Sequence, residues 1–172
     1  MKRSLLFLVV VTTAWIGTLA GTGLLQVLVH LPARHRLGAD AYAAYLRATA
    51  FSRGLVLFPL LGIGGAVLVC ATFIVALRSR EVGAAKVLLG VAAASHLLGL
   101  ATARAGARIA QQLRITERAA LPLMPVLDRF ARAQTMRVVF IEATFCCLLA
   151  TLASLAHLGR LPARPAGEGS AS

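Results

Sequence analysis

The chain has 172 residues, of which 59% are hydrophobic and 14% are charged. Its mean hydropathy is +0.81, whereas soluble domains carry about a quarter charged residues. This composition excludes an ordinary soluble domain and indicates that lipid is the solvent. The net charge of +12 would also suit nucleic acid, but the basic residues stand between apolar runs instead of covering a polar surface. We therefore expect no nucleic-acid partner, and we expect the arginines to meet the headgroups of a lipid bilayer.

Four apolar segments follow one another along the chain, and spanning a bilayer takes about 20 residues. They cover residues 5–31, 55–77, 87–103 and 138–158. The third is short, but its helix gains length if it continues past Arg104, whose long side chain can reach the interface. The sequence therefore predicts an all-α fold, an integral membrane four-helix bundle over residues 1–160, multi-pass in the cell membrane. The Pro-, Gly- and Ser-rich tail, residues 161–172, is expected to be disordered.

The first segment has a second interpretation. Met1-Lys2-Arg3 followed by an apolar run is typical of a signal peptide, and Ala20 closes a passable cleavage site. The apolar run continues to Leu31, however, which is too long for an ordinary signal core. The pattern therefore favours an uncleaved first span.

The stretch "GADAYAAYLRATAFSRG" after the first span predicts a short amphipathic helix. Asp40 is expected to cap it, and Tyr42, Tyr45, Leu46 and Thr49 follow at helical spacing. Tyrosines suit the headgroup layer, where both the ring and the hydroxyl are satisfied. We therefore expect this helix to lie at the membrane interface.

The other connections differ in length. "RSREVGAAK" is short and makes the second and third spans a hairpin, whereas the third connection is expected to run from Arg104 to Arg137. Pro122 and Pro125 are expected to break the chain before a helix resumes near Val126. The first and third connections hold eleven of the 18 Lys and Arg residues. The positive-inside rule then favours both termini outside, but arginines recruited to a site would not follow it, so orientation stays open.

Ionisable groups inside membrane spans are costly and are functional candidates by default. Glu142 lies about a turn inside the fourth span, His96 lies in the middle of the third, and Gln26 and His30 share one face of the first. A polar pocket among four helices would follow if these groups converge. The alternative is that each makes an ordinary hydrogen bond between helices.

Arginines at the span ends carry the remaining candidates. Arg104, Arg108 and Arg137 could hold an anionic or phenolic substrate at the mouth of the bundle, or could meet anionic lipid headgroups. No histidine or carboxylate pair has the spacing of a metal site on a helix, and the three cysteines lie in apolar runs. The stretch "GIGGA" suits close helix packing better than phosphate binding. The sequence therefore predicts no metal and no cofactor.

Three stretches resemble a known family. The first span ends in "HLPARHRLGADAYAAYLRA", with Pro32-Ala33-Arg34 and Leu37-Gly38, and the last follows "LDRFARAQTMR", from Phe130 to Arg137. Together with "GLVLFPLLGIG" at the second span, these resemble the anthrone oxygenase-like family of four-helix membrane proteins. The resemblance covers about residues 5–158.

Fungal members of that family are implicated in oxidising anthrones to anthraquinones without metal or flavin. The resemblance implies a cofactor-independent oxygenase that oxidises a hydrophobic phenolic or polyketide-type molecule with O2. A histidine, His96 or His30, would remove the proton, and Arg137 or Arg104 would stabilise the enolate. We thus consider His96, His30, Glu142 and Arg137 as catalytic candidates, and Gln26, Tyr42, Tyr45, Arg104 and Arg108 as substrate-binding candidates.

The alternative is a non-enzymatic membrane accessory or small-molecule-binding protein, and the oligomeric state is left open. A pocket lined by His96, Glu142 and Arg137 would favour the enzyme. A solid apolar interior with those groups paired to one another would favour the accessory role. Transport is a third possibility, which four spans without repeats or broken helices disfavour unless the protein oligomerises.

Overall fold

The structure, a computed structural model, describes residues 2–49, 54–79, 83–115 and 123–158. Its elements are α1 (Lys2–Leu25), a π-helical turn (Gln26–His30), α2 (Ala33–Leu37), α3 (Ala39–Thr49), α4 (Gly54–Arg78), α5 (Gly83–Ile115) and α6 (Leu123–Leu158). Within these ranges, four helical stretches are long and apolar enough to cross a membrane. The predicted all-α four-helix bundle is confirmed, and a multi-pass membrane protein is supported. The predicted disordered tail, residues 161–172, lies outside the described residues.

The four long helices form a ring in which α1 and α5 each lie between α4 and α6. Large apolar side chains cover the outside of this ring. Phe7 is 68% exposed and Leu28 is 69% exposed, and Val87 and Ile63 also face outward. Such a surface would be an aggregation liability in water, whereas lipid satisfies it. The hydrophobic exterior therefore agrees with the hydropathy of the sequence.

Small residues and hydroxyls bring the helices together. Trp15 on α1 donates its Nε1–H to the carbonyl of Leu61 at 2.9 Å, and a Cβ on Gly64 would lie 3.0 Å from the Trp15 ring. The buried hydroxyls of Thr12 and Thr72 are 2.9 Å apart. Without a hydrophobic driving force between helices in lipid, close packing and such bonds hold the bundle. The packing role predicted for "GIGGA" is thereby supported.

Helices α5 and α6 are longer than the sequence pattern predicts. They have 33 and 36 residues, about 50 Å at 1.5 Å per residue. The helix continues past Arg104 as expected. The predicted connection from Arg104 to Arg137 is wrong, because α5 runs to Ile115 and α6 begins at Leu123. Pro125 does not delay the helix to Val126, since it is the third residue of α6, where proline costs little.

Helix α3 lies where α5 and α6 extend beyond the start of α4. Tyr42 and Leu46 are buried there with Leu127 and Phe130 of α6. The amphipathic helix is confirmed, but its predicted cap is wrong. Helix α3 begins one residue before Asp40, which lies in its first turn and does not cap it. Tyr42 is buried against α6, and the position of the helix in the headgroup layer stays a prediction.

Candidate functional site

The structure collects most of the candidate residues at one end of the bundle. Helices α1 and α5 end there, and α4 and α6 begin there; we call this the basic end. The arginines of this end whose side chains the structure describes are Arg34, Arg36, Arg47, Arg104, Arg108, Arg129, Arg132 and Arg137. Asp40 and Asp128 are the carboxylates in the same described ranges of this end. The arrangement follows from the up-and-down topology, which brings the first and third connections to the same side.

A cavity of about 300 Å³ lies inside the basic end, and we call it the bundle cavity. All four long helical stretches contribute to its walls, which are mostly apolar. The wall includes Gln26, Phe58, Gly62, Arg104, Phe130, Gln134 and Arg137. Small-molecule sites have this size and this mixture of apolar walls with a few polar groups. The bundle cavity is therefore the best candidate site in the described structure.

Arg137 is the charged group deepest along α6 in the wall of this cavity. Its guanidinium carbon lies 6.0 Å from the centre of the Phe58 ring, within range of a cation–π interaction. Among the described residues, no carboxylate lies within 4 Å of it. Gln134, one turn earlier, has a buried Oε1 atom without a hydrogen-bond partner. These polar groups remain to be satisfied by a ligand or by water.

Gln26 is the first residue of the π-helical turn. The N–H of Leu31 donates to the Gln26 carbonyl at 2.8 Å, which widens the helix by one residue per turn. Gln26 lines the bundle cavity and also a narrow extension beside Thr22 and Val138. Widened turns of this kind are frequent at functional sites. The structure thus brings Gln26 to the same cavity as Arg137.

His30 and Tyr45 contact each other and are not in the cavity wall. The Tyr45 hydroxyl lies 2.8 Å from Nδ1 of His30, and the two rings stack with their centres 5.9 Å apart. This pair joins the first span to α3. Gln26 and His30, expected to act on one face, therefore have different partners.

Tyr42 lies beside this pair and is almost fully buried, at 1% exposure. Its hydroxyl has no hydrogen-bond partner. Burial raises the pKa of Tyr42, and the positive charge of Arg34 opposes the increase. Tyr42 packs on Leu127 and Phe130, and Phe130 is a wall residue. Tyr42 therefore belongs to the buried cluster against which the wall residue Phe130 packs.

His96 lies behind the cavity wall. It is 3% exposed, and its Nε2 atom is 3.1 Å from the carbonyl of Gly62, a wall residue. Because a carbonyl can only accept, Nε2 carries the proton, and Nδ1 is left as a buried acceptor without a partner. The histidine therefore contacts the wall through Gly62 but does not line the cavity.

Of the three remaining candidates, one lines the bundle cavity and two lie outside its walls. Arg104 lines the cavity, whereas Arg108 is exposed and lies outside its walls. Glu142 lies deeper along α6, outside the walls, with a buried Oε1 that has no hydrogen-bond partner. Neither His96 nor Arg137 pairs with Glu142 within hydrogen-bond or ion-pair distance in the described structure.

The wall residues that sequence reasoning missed include Phe58, Phe130 and Gln134. A signal for two of them exists, because Phe130, Gln134 and Arg137 follow at i, i+4 and i+7 and therefore share one face of a helix. The pattern is hidden if residues 104–137 are treated as a connection. Recognising α6 as continuous from Leu123 would have found them.

Comparisons with protein-family models, with curated proteins and with solved structures find no match to this chain. In the described ranges, no group of three or more His, Cys, Asp and Glu side chains is placed to hold a metal ion. The candidate site therefore has to be interpreted from its own geometry.

Proposed function

We propose that this protein, in the cell membrane, binds a hydrophobic aromatic molecule with a phenolic or enolic oxygen in the bundle cavity. The observation that carries the proposal is the position of Arg137. Its charge faces a largely apolar cavity with no carboxylate within 4 Å among the described residues. An oxyanion on a flat apolar ligand would satisfy it, and the Phe58 and Phe130 rings offer surfaces for the rest of the ligand.

The proposal includes an oxidation by O2 without a cofactor, as the resemblance to anthrone oxygenases implies. An anthrone would lose a proton from its methylene carbon to give an enolate, which Arg137 stabilises electrostatically. The enolate would give electrons to O2 and form a carbon–oxygen bond. Loss of water from the resulting hydroperoxide yields the anthraquinone, so one O2 is consumed and one water is released. His96 is the proposed base because Nδ1 is its free acceptor. In the structure its ring lies behind the wall residue Gly62, so the proposal requires the ring to turn into the cavity to reach the methylene proton.

A non-enzymatic binding protein is the second candidate. It is favoured by the position of His96 behind the wall and of His30 in a bond to Tyr45. Neither imidazole would then meet a ligand directly. In this role the same cavity holds the aromatic molecule, and no turnover takes place.

The experiment uses the full chain purified in detergent. Trp15 is the only tryptophan of the chain and contacts Gly64, two residues from the wall residue Gly62. Quenching of its fluorescence by an anthrone or an anthraquinone therefore reports binding, while O2 uptake and anthraquinone absorbance report oxidation. Arg137→Gln should weaken binding by about tenfold or more, the effect of losing one charge-assisted hydrogen bond.

Arg129→Gln is the matched control, since Arg129 is an exposed arginine on the same helix outside the cavity. Binding with turnover that His96→Ala abolishes supports the oxygenase. Binding without turnover in the wild type supports the binding protein. If Arg137→Gln and Arg129→Gln bind as the wild type does, the cavity is not the site and the proposal is wrong.

A further inference from the structure

A second concave surface lies on the outside of the basic end, between the exit of the first span and the start of α6. Its volume is about 700 Å³, and its wall residues do not overlap those of the bundle cavity. We call it the interface groove. The residues that matter here are Val27, Leu31, Arg34, Asp128, Arg132 and Met136.

The groove changes in polarity along its length. The first span runs outward from Val27 through Leu31 to Arg34, while α6 runs inward from Asp128 through Arg132 to Met136. The charged side chains therefore lie together at the outer end, and the apolar ones lie together one to two turns deeper. A phospholipid has the same order along the membrane normal, with its headgroup outside and its chains inside.

Arg34 is fixed at the outer end of the groove. Its Nε–H donates to Oδ1 of Asp128 at 3.1 Å, and Nη1 donates to the carbonyl of Leu31 at 2.7 Å. The side chain is only 17% exposed. Two partners on different elements hold the guanidinium in place, so little side-chain entropy is lost when a further anion binds to it.

The outer end has an excess of positive charge. Asp128 is already engaged by Arg34, and Arg132 has no carboxylate within 4 Å among the described residues. His35 also lines the groove. The single carboxylate of Asp128 therefore leaves one of the two guanidinium charges of the groove unbalanced, and a zwitterionic headgroup would bring its own cation into this excess of positive charge.

We propose that the interface groove binds one anionic phospholipid. Its phosphate lies against Arg132 and Arg34, and its acyl chain follows Val27, Leu31 and Met136. The proposal does not rest on the function proposed for the bundle cavity, because the two share no wall residue. The proposal assigns the lipid phosphate to Arg34 and Arg132 among the several arginines of the basic end. General attraction to a charged bilayer would not distinguish these two from the others.

The test titrates the full chain, purified in detergent, with phosphatidylglycerol or with phosphatidylcholine, and counts bound lipids by native mass spectrometry. We expect one phosphatidylglycerol to bind at least about tenfold more tightly than the first phosphatidylcholine, as for a charge-assisted contact. Arg132→Gln should remove most of that preference. Arg129→Gln, the same substitution one turn earlier at an exposed position outside the groove, should keep it.

Thermal unfolding of each variant in phosphatidylcholine vesicles verifies that the variants fold. If Arg132→Gln fails that control, Met136→Glu, which places a carboxylate on the apolar floor, replaces it and should also lose the preference. Equal losses in Arg132→Gln and Arg129→Gln would mean non-specific attraction by the basic end and would overturn the proposal. So would equal binding of both lipids by the wild type.

Discussion

Nε2 of His96 on α5 lies 3.1 Å from the carbonyl oxygen of Gly62 on α4. The bond is possible because α4 presents glycine where the imidazole lies. A Cβ on Gly65 would lie 3.1 Å from the His96 ring and 3.0 Å from Cδ1 of Ile16. The buried ring therefore occupies space that the side chain of any residue other than glycine at position 65 would partly fill.

Gly65→Ala should consequently destabilise the bundle by about 1–3 kcal/mol, the usual cost of overpacking a tight core. Gly21→Ala is the control, since nothing lies within 4 Å of the Cβ it would add. Alanine in a helix interior is favoured over glycine by about 0.5–1 kcal/mol, so Gly21→Ala should be neutral or stabilising. Thermal unfolding in detergent measures both, and equal stabilities would contradict the predicted packing.

Tyr42→Phe should leave stability unchanged or slightly raise it at neutral pH, because the buried hydroxyl has no hydrogen-bond partner. Tyr45→Phe, which loses the 2.8 Å contact with His30, should cost about 0.5–1.5 kcal/mol. The two substitutions remove the same atom from neighbouring turns of α3. Unfolding midpoints of the two variants, compared with the wild type, test the difference.

Burial of Tyr42 also predicts that the stability of the protein depends on pH in the alkaline range. Burial raises its pKa above the ordinary value of about 10, so between the unfolded and folded pKa the native state binds more protons. Stability from the neutral phenol is therefore fully present below pH of about 10 and is lost as pH rises through the folded pKa. Unfolding midpoints of Tyr42→Phe should decline less above that pH than those of the wild type. A parallel decline in both would show that another group causes the loss.

Arg104 and Arg108 separate the site predicted by spacing from the site found in the structure. Arg104 lines the bundle cavity and Arg108 does not. Arg104→Gln should weaken binding of an anthrone by about two- to fivefold, the effect of losing an exposed charge, whereas Arg108→Gln should have no effect. Quenching of Trp15 fluorescence measures both. Equal weakening by the two substitutions would mean that the arginines act through their summed charge.

The orientation of the chain follows from the basic end if its arginines obey the positive-inside rule. The basic end would then face the cytoplasm, with Gly83 at the opposite side. A variant without the native cysteines, carrying either Ala41→Cys or Gly83→Cys at exposed positions, tests this by labelling with a membrane-impermeant maleimide on intact cells. We expect label at residue 83 and none at residue 41, and the reverse pattern would show that the charges serve the site alone.

The spans could be predicted from the sequence because the length of an apolar run reflects the thickness of the bilayer. The extensions of α5 and α6 beyond the spans could not be predicted, because they are stabilised by packing between helices, which the local sequence pattern does not contain. Phe130 and Leu127, for example, are buried only because α3 folds back over them. Pro125 also favoured a break, although its position in a first turn makes it harmless.

The site was predictable in part for a related reason. Gln26 was chosen as a polar group inside the first span, and Arg104 and Arg137 were chosen as arginines at span ends; all three line the bundle cavity. His96 was chosen because it is an ionisable group in the middle of the third span, but hydropathy does not determine the rotation of a nearly uniformly apolar helix. The position of the His96 ring beside Gly62 depends on the glycines of α4, a different helix from the one that carries the histidine.

The π-helical turn at Gln26–His30 has the form of a one-residue insertion in an otherwise regular helix. Deleting Val29 would restore an α-helical register and would turn every later residue of the span by about 100°. Arg34 would then point away from Asp128, while Gln26 and everything before it stayed in place. The extra residue thus fixes the rotation of the segment that leads through α2 to α3 relative to the part of the first span inside the bundle.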